Sequence, residues 1–445
     1  MDGVRGEAQQ STLADDGPLV SRTAEVSDAA FRAFLAAHDP PRVHWAAPDG
    51  LEIVGCDAAV SLTASGPDRF EAIRRGAAAV FNAVDHRGPP VTRPRMLGGF
   101  SFTDRHDSAL PWTGFPAASF VVPRVQLTRA DGTTWLTVSE LAPDDADAVA
   151  ASLDAAAGAV ADLPAMCPSG SPPGVTATRR TTSKAEWTEQ VEDALDRIRT
   201  GDLRKVVLAQ ALAVDLASPI DVPDVLERLR RTYPDCYRFL VQPTDRAAFF
   251  GPPPERLVSV SGTDIRTEAL AGSVPRGETP EADADLAASL VDTEKLQHEQ
   301  QLVVDAITDQ LDPLGGVTVG DQRVRKLTNI QHLQTPIEAE LAEREHILRL
   351  VEVLHPTPAV GGLPPDAALD TIRDIETFDR GWYAAPVGWF DAAGDGEFAV
   401  GIRSGVVGGT RATLFAGAGI VADSDPDDEW DEIQPKYRPI LDELE

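Results

Sequence analysis

The sequence predicts an α+β fold built on antiparallel sheet. Three observations carry this. Strand-like runs are joined by short turns, as a hairpin requires. Helical stretches separate groups of strands and do not alternate with single ones, so repeated βαβ units are excluded. The 445 residues, 42% of them apolar, suffice for a large core.

Taken in order, residues 1–20 are polar and acidic and are expected to be disordered, which also excludes a secretory signal. Strand-like runs follow in "GLEIVGCDAAVSLTAS", "MLGGFSFT" and "ASFVVPRVQLTRADGTTWLTVSEL", with Asp131-Gly132 marking a hairpin turn. "DDADAVAASLDAAAGAVADL" reads as a helix, and "PAMCPSGSPPGVTAT" as a Pro/Gly/Ser connector. Ser183 and Glu186 form a capping box. Trp187, Val191, Ala194 and Ile198 then mark one helical face, up to a stop at Gly201. "KVVLAQALAVDL" is a strand, "AAFFGPPPERLVSVSGTDIRTEALAG" a strand pair, and a long helix lies near 283–312. "PVGWFDAAGDGEFAVGIRSGVV" gives further strands, before a last strand and a helix with Pro426 at its first position.

The net charge of -31 argues against nucleic acid, whose phosphates need a basic face. No apolar run is long enough to span a membrane. Cys56, Cys167 and Cys236 are isolated, which excludes a disulfide framework or a cysteine zinc site. A cytoplasmic protein is expected. Of 40 basic residues only Lys184, Lys205, Lys295, Lys326 and Lys436 are lysines. An acidic, Arg-over-Lys surface suits concentrated salt, so the protein reads as halophilic. It also makes each lysine worth inspecting.

"GAGIVA", residues 417–422, fits a loose dinucleotide-binding pattern. Only 26 residues follow Gly419, too few for the helix, second strand and acidic residue that such a site requires. An ordinary glycine turn remains open.

Four elements place charge where periodicity predicts burial. Lys205 shares a strand face with Val207, Ala209 and Ala211. It either snorkels to water or occupies a pocket whose desolvation makes it a base. Arg403 shares a face with Ala399 and Gly401, leaving room for a carboxylate. Glu299 falls in the apolar stripe of Leu296, Val303 and Ile307. Glu429, Glu432 and Lys436 line one face of the last helix, where a solvated Glu–Lys pair is the simpler explanation. Inward carboxylates from two helices, without histidine or cysteine, would suit Mg²⁺. Glu255 follows three prolines that fix its direction.

These residues resemble a family, the chorismate-utilising enzymes: isochorismate, salicylate, anthranilate and aminodeoxychorismate synthases. The resemblance rests on "GDLRKVVLAQ", "PPERL", "TEALAGSVPRG", "HEQQLVVDAI", "HPTPAVGG", "FDRGWYAAPVGWFD", "VGIRSG", "LFAGAGIV" and "EWDEIQPK". It covers residues 181–445 strongly and 21–162 more loosely, with 163–180 as connector. It implies one domain over 21–445, of two antiparallel sheets wrapped by helices.

The resemblance also implies roles. Lys205 is the base and Glu255 the acid. Glu299 and Glu432 are Mg²⁺ ligands, with Glu429 acting through water. Gly272, Ser273, Arg403, Gly417 and Lys436 bind chorismate, Gly417 offering backbone N–H groups from a turn to a carboxylate. His298 precedes the metal-binding glutamate where many members have a histidine after it, and Pro435 interrupts the last helix before Lys436. Lys205 marks members that add water, where ammonia users carry glutamine. Ala271 excludes the covalent lysine chemistry of aminodeoxychorismate synthases, and Ala359 replaces a threonine common in salicylate synthases. Isochorismate synthase is the expected activity, with menaquinone biosynthesis the expected pathway and no glutaminase subunit. A catechol siderophore pathway is left open by the residues. Salicylate synthase and a catalytically silent chorismate-binding protein are the alternatives.

Overall fold

The computed structural model describes residues 17–27, 29–164 and 170–445. Residues 1–16 of the expected disordered N-terminus and Cys167 in the connector lie outside these. The N-terminal boundary moves, because Leu19 and Val20 already begin the strand Leu19–Val26 and are buried. The connector likewise closes in a strand, Val175–Arg180. Cys56 and Cys236 are free and buried.

Twenty-one strands among the described residues form one hydrogen-bonded network, where two separate sheets were expected. All pairings are antiparallel except Leu19–Val26 with Val84–Arg87. The network divides at Ala118–Ala130, whose thirteen residues are long enough to serve different neighbours along one edge. One arm runs through Glu52–Ala64, Arg42–Ala46, Arg238–Gln242, Ala248–Gly251, Gly405–Gly408 and Arg411–Ile420 to Lys205–Leu216. The other runs through Arg95–Phe100, Pro386–Asp391, Gly396–Val400, Arg256–Ser261 and Asp264–Pro275 to Ile330–Leu341. Near their ends, both arms line the same cavity.

Local signals hold where backbone chemistry is decisive. Asp131 and Gly132 both have positive φ, the geometry a two-residue hairpin needs. The Ser183–Glu186 capping box opens the helix Lys184–Thr200, and Gly201, left-handed at φ 86°, closes it. The long helix near 283–312 is in fact two, Pro280–Asp292 and Glu294–Leu311. Thr293 is extended between them, its hydroxyl turned back to the Ser289 carbonyl at 2.6 Å. That bond competes with helix continuation, and a β-branched side chain adds to the break. No helix among the described residues is long and apolar enough to cross a membrane.

An aromatic cluster supports the cavity. Trp112 and Tyr383 both stack on Phe415, with ring centroids 5.4 and 5.2 Å away. Phe415 and Tyr383 line the cavity itself.

Candidate active site

All ten residues assigned a role from the sequence line one cavity. So do three of the five lysines: Lys205, Lys295 and Lys436. The other two lie elsewhere, Lys184 against Asp427 and Lys326 against Asp283.

Three Lys–Glu pairs build one side. Lys205, fully buried, donates from Nζ to Glu299 Oε1 at 2.7 Å. It does not snorkel, and its setting is not the purely apolar one that its strand face suggested. Lys436 Nζ donates to Glu432 Oε1 at 2.6 Å and to the Gly417 carbonyl at 2.8 Å. The helix Pro426–Leu441 runs through Pro435 without a break, so the interruption expected there does not displace Lys436. Lys295 Nζ donates to Glu429 Oε1 at 3.1 Å, joining the two helices. Burial pushes the Glu299 carboxyl up, but Lys205, Lys436 and Lys295 together outweigh it, and the net shift is down. Glu429 moves up instead, from burial and the neighbouring Glu432 charge. Gly419 makes room for the first pair. A Cβ there would stand 2.9 Å from Glu299 Oε1 and 3.0 Å from Lys205 Cε.

Glu255 enters from the other arm, just before Arg256–Ser261. Its side chain is buried, with no hydrogen bond or ion pair among the described residues. Burial, reinforced by the Glu268 charge, pushes its carboxyl up to about 8 against the opposing pull of Lys205 and Arg325. Such a group keeps a proton to give at neutral pH.

The side expected to bind the carboxylates departs from expectation in two places. Arg403 is not on the strand Gly396–Val400 but beyond it, with left-handed backbone at φ 53°. Strand alternation therefore fails there, and Ile402 and Arg403 both line the cavity. No ion pair holds the buried Arg403 guanidinium among the described residues. Gly417 is not in a turn either, since Arg411–Ile420 is one continuous strand.

The backbone N–H of Gly417 nonetheless points away from the strand Lys205–Leu216. Gly417 faces Ala209, whose N–H donates to Glu376 Oε1 at 2.8 Å, while the Gly417 carbonyl accepts from Lys436. Both residues thus direct their polar groups away from each other, as in a non-hydrogen-bonded pair. The Gly417 N–H lies on the outer edge, where pairing with Gly405–Gly408 stops at Leu414.

Gly272, at φ 61°, sits in a bulge between Ala271 and Ser273. There the His332 ring reaches both residues, with Nδ1 3.0 Å from Ser273 Oγ and 3.2 Å from the Gly272 carbonyl. Sequence reasoning missed His332, Tyr383 and Arg380, all buried in the lining. His332 and Tyr383 stand in runs where nothing sets them apart. Arg380 could have been suspected from Glu376 four residues earlier, its ion-pair partner.

Glu299, Glu429 and Glu432 are oxygen donors of the type Mg²⁺ prefers, all on one side of the cavity. The mutual repulsion that raises Glu429 is what a cation would relieve. The donor set fits. The expected convergence is not drawn, however: no three such groups stand close enough to hold an ion among the described residues. The reason is local, since each carboxylate is turned to its own lysine.

Residues 7–445 match the family model described as "Chorismate binding enzyme". The chain belongs to the chorismate-binding enzyme family. Within it, similarity runs to isochorismate synthases, which are isomerases. The salicylate biosynthesis isochorismate synthase of Pseudomonas aeruginosa is 38% identical over 396 residues, 88% of this chain and 82% of that one. Isochorismate synthase MenF of Bacillus subtilis is 38% identical over 355 residues, 79% and 74% of the two chains. The structure of MenF, the menaquinone-specific isochorismate synthase from Escherichia coli, superposes with a TM-score of 0.81 at 28% identity, covering 96% of this chain and 95% of that one. This chorismate-binding enzyme also shares its fold with anthranilate synthase component I of Streptococcus pneumoniae, at 22% identity and a TM-score of 0.74 over 88% of this chain and 92% of that one.

Proposed function

We propose that the cavity isomerises chorismate to isochorismate, with Lys205 as base and Glu255 as acid. The observation that carries this is their placement: the two groups stand on different arms of the sheet and line one cavity between them. Water attacks C2 of the ring and gives its proton to Lys205 Nζ, which acts in its uncharged form, released from Glu299. The double bonds shift, and the C4 hydroxyl leaves as water with the proton from Glu255. One water enters and one departs, and the proton gained by Lys205 returns to Glu255 through solvent, so the reaction balances.

The Arg403 guanidinium, which has no ion pair among the described residues, and the Gly417 N–H take the substrate's carboxylates, with Lys436, Gly272 and Ser273 beside them. Mg²⁺ held by Glu299 and Glu432, with Glu429 nearby, would neutralise the ring carboxylate and draw Glu299 away from Lys205.

The test is incubation with chorismate and Mg²⁺, followed by chromatography of the products. Isochorismate without pyruvate is expected, and activity is expected to vanish in excess EDTA. Pyruvate release would favour salicylate synthase. Binding without turnover would favour the silent protein. Full turnover in EDTA would remove the metal ligands from the scheme.

Menaquinone biosynthesis in the cytoplasm is the pathway we assign, on the likeness to the two MenF proteins. The Pseudomonas relative instead bears salicylate biosynthesis in its name. Restoration of menaquinone in a bacterial strain lacking its own isochorismate synthase checks the assignment.

A further inference from the structure

The backbone on either side of Glu255 is held by side chains with no place in the scheme above. The Pro254 carbonyl accepts from Arg325 Nη1 at 2.9 Å. The Arg256 N–H donates to Glu268 Oε1 at 3.0 Å. Arg325 Nη1 also reaches Glu268 Oε1, at 3.3 Å, which closes the two contacts into a loop around Glu255. The Glu255 carbonyl accepts from the Val400 N–H at 3.1 Å, so this peptide has little freedom. Glu268 is itself fixed by Gln334, and Gln334 by Arg323 at 2.9 Å. Arg325 is fixed through Nη2 to the Asp235 carbonyl at 2.9 Å.

We propose that Glu268 and Arg325 are positioning residues for Glu255, clamping the peptide groups that flank it so that its carboxyl faces the substrate. The inference rests on the reading of Glu255 as the acid.

The three prolines before Glu255 restrict the approach of the chain but offer no donor, so they cannot fix the peptide by themselves. A carboxylate on one side and a guanidinium on the other supply that fixation. They also place opposite charges behind the acid. The Glu268 charge favours its protonated form, and the Arg325 charge favours ionisation. Lys205 also acts on the Glu255 charge, and the other titratable or charged groups of the cavity lining are Lys295, Glu299, His332, Arg380, Tyr383, Arg403, Glu429, Glu432 and Lys436. Neither substitution below alters these.

The test is the pH profile of kcat in Glu268→Gln and Arg325→Gln. Activity requires protonated Glu255, so the alkaline limb reports its ionisation in the substrate complex. Glu268→Gln keeps an acceptor for the Arg256 N–H and removes the negative charge. Its alkaline limb should move down by on the order of one pH unit. Arg325→Gln should move the limb up by a similar amount. Each variant should also lose kcat while KM changes little. A merely structural role would lower the amount of folded protein and leave the limb in place.

Limbs unmoved in both variants, or moved in the same direction, would overturn the proposal. Glu255→Gln separates this from failure of the underlying mechanism. If that variant keeps its activity, Glu255 is not the acid and the scheme itself falls. If it is inactive while both limbs stay fixed, only the clamp is wrong.

Discussion

Glu255 and Glu299 lie in the same cavity, and burial pushes both towards the protonated form, yet their net shifts have opposite signs. Glu299 has a lysine ammonium at 2.7 Å and two more nearby. Glu255 has no ion-pair partner among the described residues, and a second carboxylate, Glu268, stands behind it. Desolvation alone thus assigns no role to a carboxylate. The nearest charge decides whether the group stores a negative charge or a proton.

Substitutions at the two ends of this contrast should have the largest effects. Lys205→Ala and Glu255→Gln should each lose roughly 10² to 10⁴-fold in turnover, the usual worth of a general base or acid. Either variant within threefold of the parent would end the proposed mechanism. The parent's kcat should fall as pH rises past about 8, because Glu255 must then hold a proton that it increasingly loses. What activity survives in Glu255→Gln should lack that fall.

Glu299→Gln tests the paired carboxylate. It leaves the buried Lys205 with a neutral partner, and should cost about 2 kcal/mol of stability, the scale of a hydrogen bond to a charged group. Denaturant melts measure this, and calorimetry should show weaker Mg²⁺ binding. Unchanged values for both would mean that the pair matters to neither.

A smaller change reaches the same pair from a neighbouring strand. Gly419→Ala brings a methyl against Glu299 Oε1 and Lys205 Cε, ends of side chains that can yield. We expect about tenfold lower kcat from the displaced base, given how steeply rate depends on geometry. The melting temperature should be unchanged, and a parental kcat would show that the pair tolerates displacement.

The least effect on the cavity should come from salt. Its ion pairs are buried or half-buried, and so less screened than exposed acids. With 71 acidic residues against 40 basic, the surface should lose structure at low ionic strength if it is adapted to salt. Circular dichroism across a salt titration reads this directly, and a fold indifferent to salt would remove the halophilic interpretation.

Local chemistry flagged Lys205, Arg403, Glu299 and Glu255, whereas Gly272, Ser273 and every role came from the family resemblance. A lysine in a chain that avoids lysine, on a strand of small residues, pointed to the cavity, and Lys205 is there. The capping box and the Asp131-Gly132 turn are short-range effects and are found where the sequence put them. Arg403 was placed on a strand because alternation cannot reveal that one residue adopts positive φ. The break at Thr293 was missed because the apolar stripe read for this helix, Leu296 to Ile307, lies wholly beyond it. His332 and Tyr383 were invisible, since tertiary pairing alone turns them towards the cavity. The join of both arms through Ala118–Ala130 likewise depends on strands far apart in sequence, which no window along the chain can sense.

The strand that carries Lys205 is completed by Arg411–Ile420, about two hundred residues further along the chain. During synthesis, a chain that has emerged only as far as Val400 presents Lys205–Leu216 with one edge bare and Lys205 beside a cavity lacking Gly417, Glu429 and Lys436. A ribosome adding roughly 5 to 20 residues per second leaves that edge unpaired for seconds. Chaperones therefore have their greatest opportunity here, and a nascent chain stalled in this interval is where aggregation should begin.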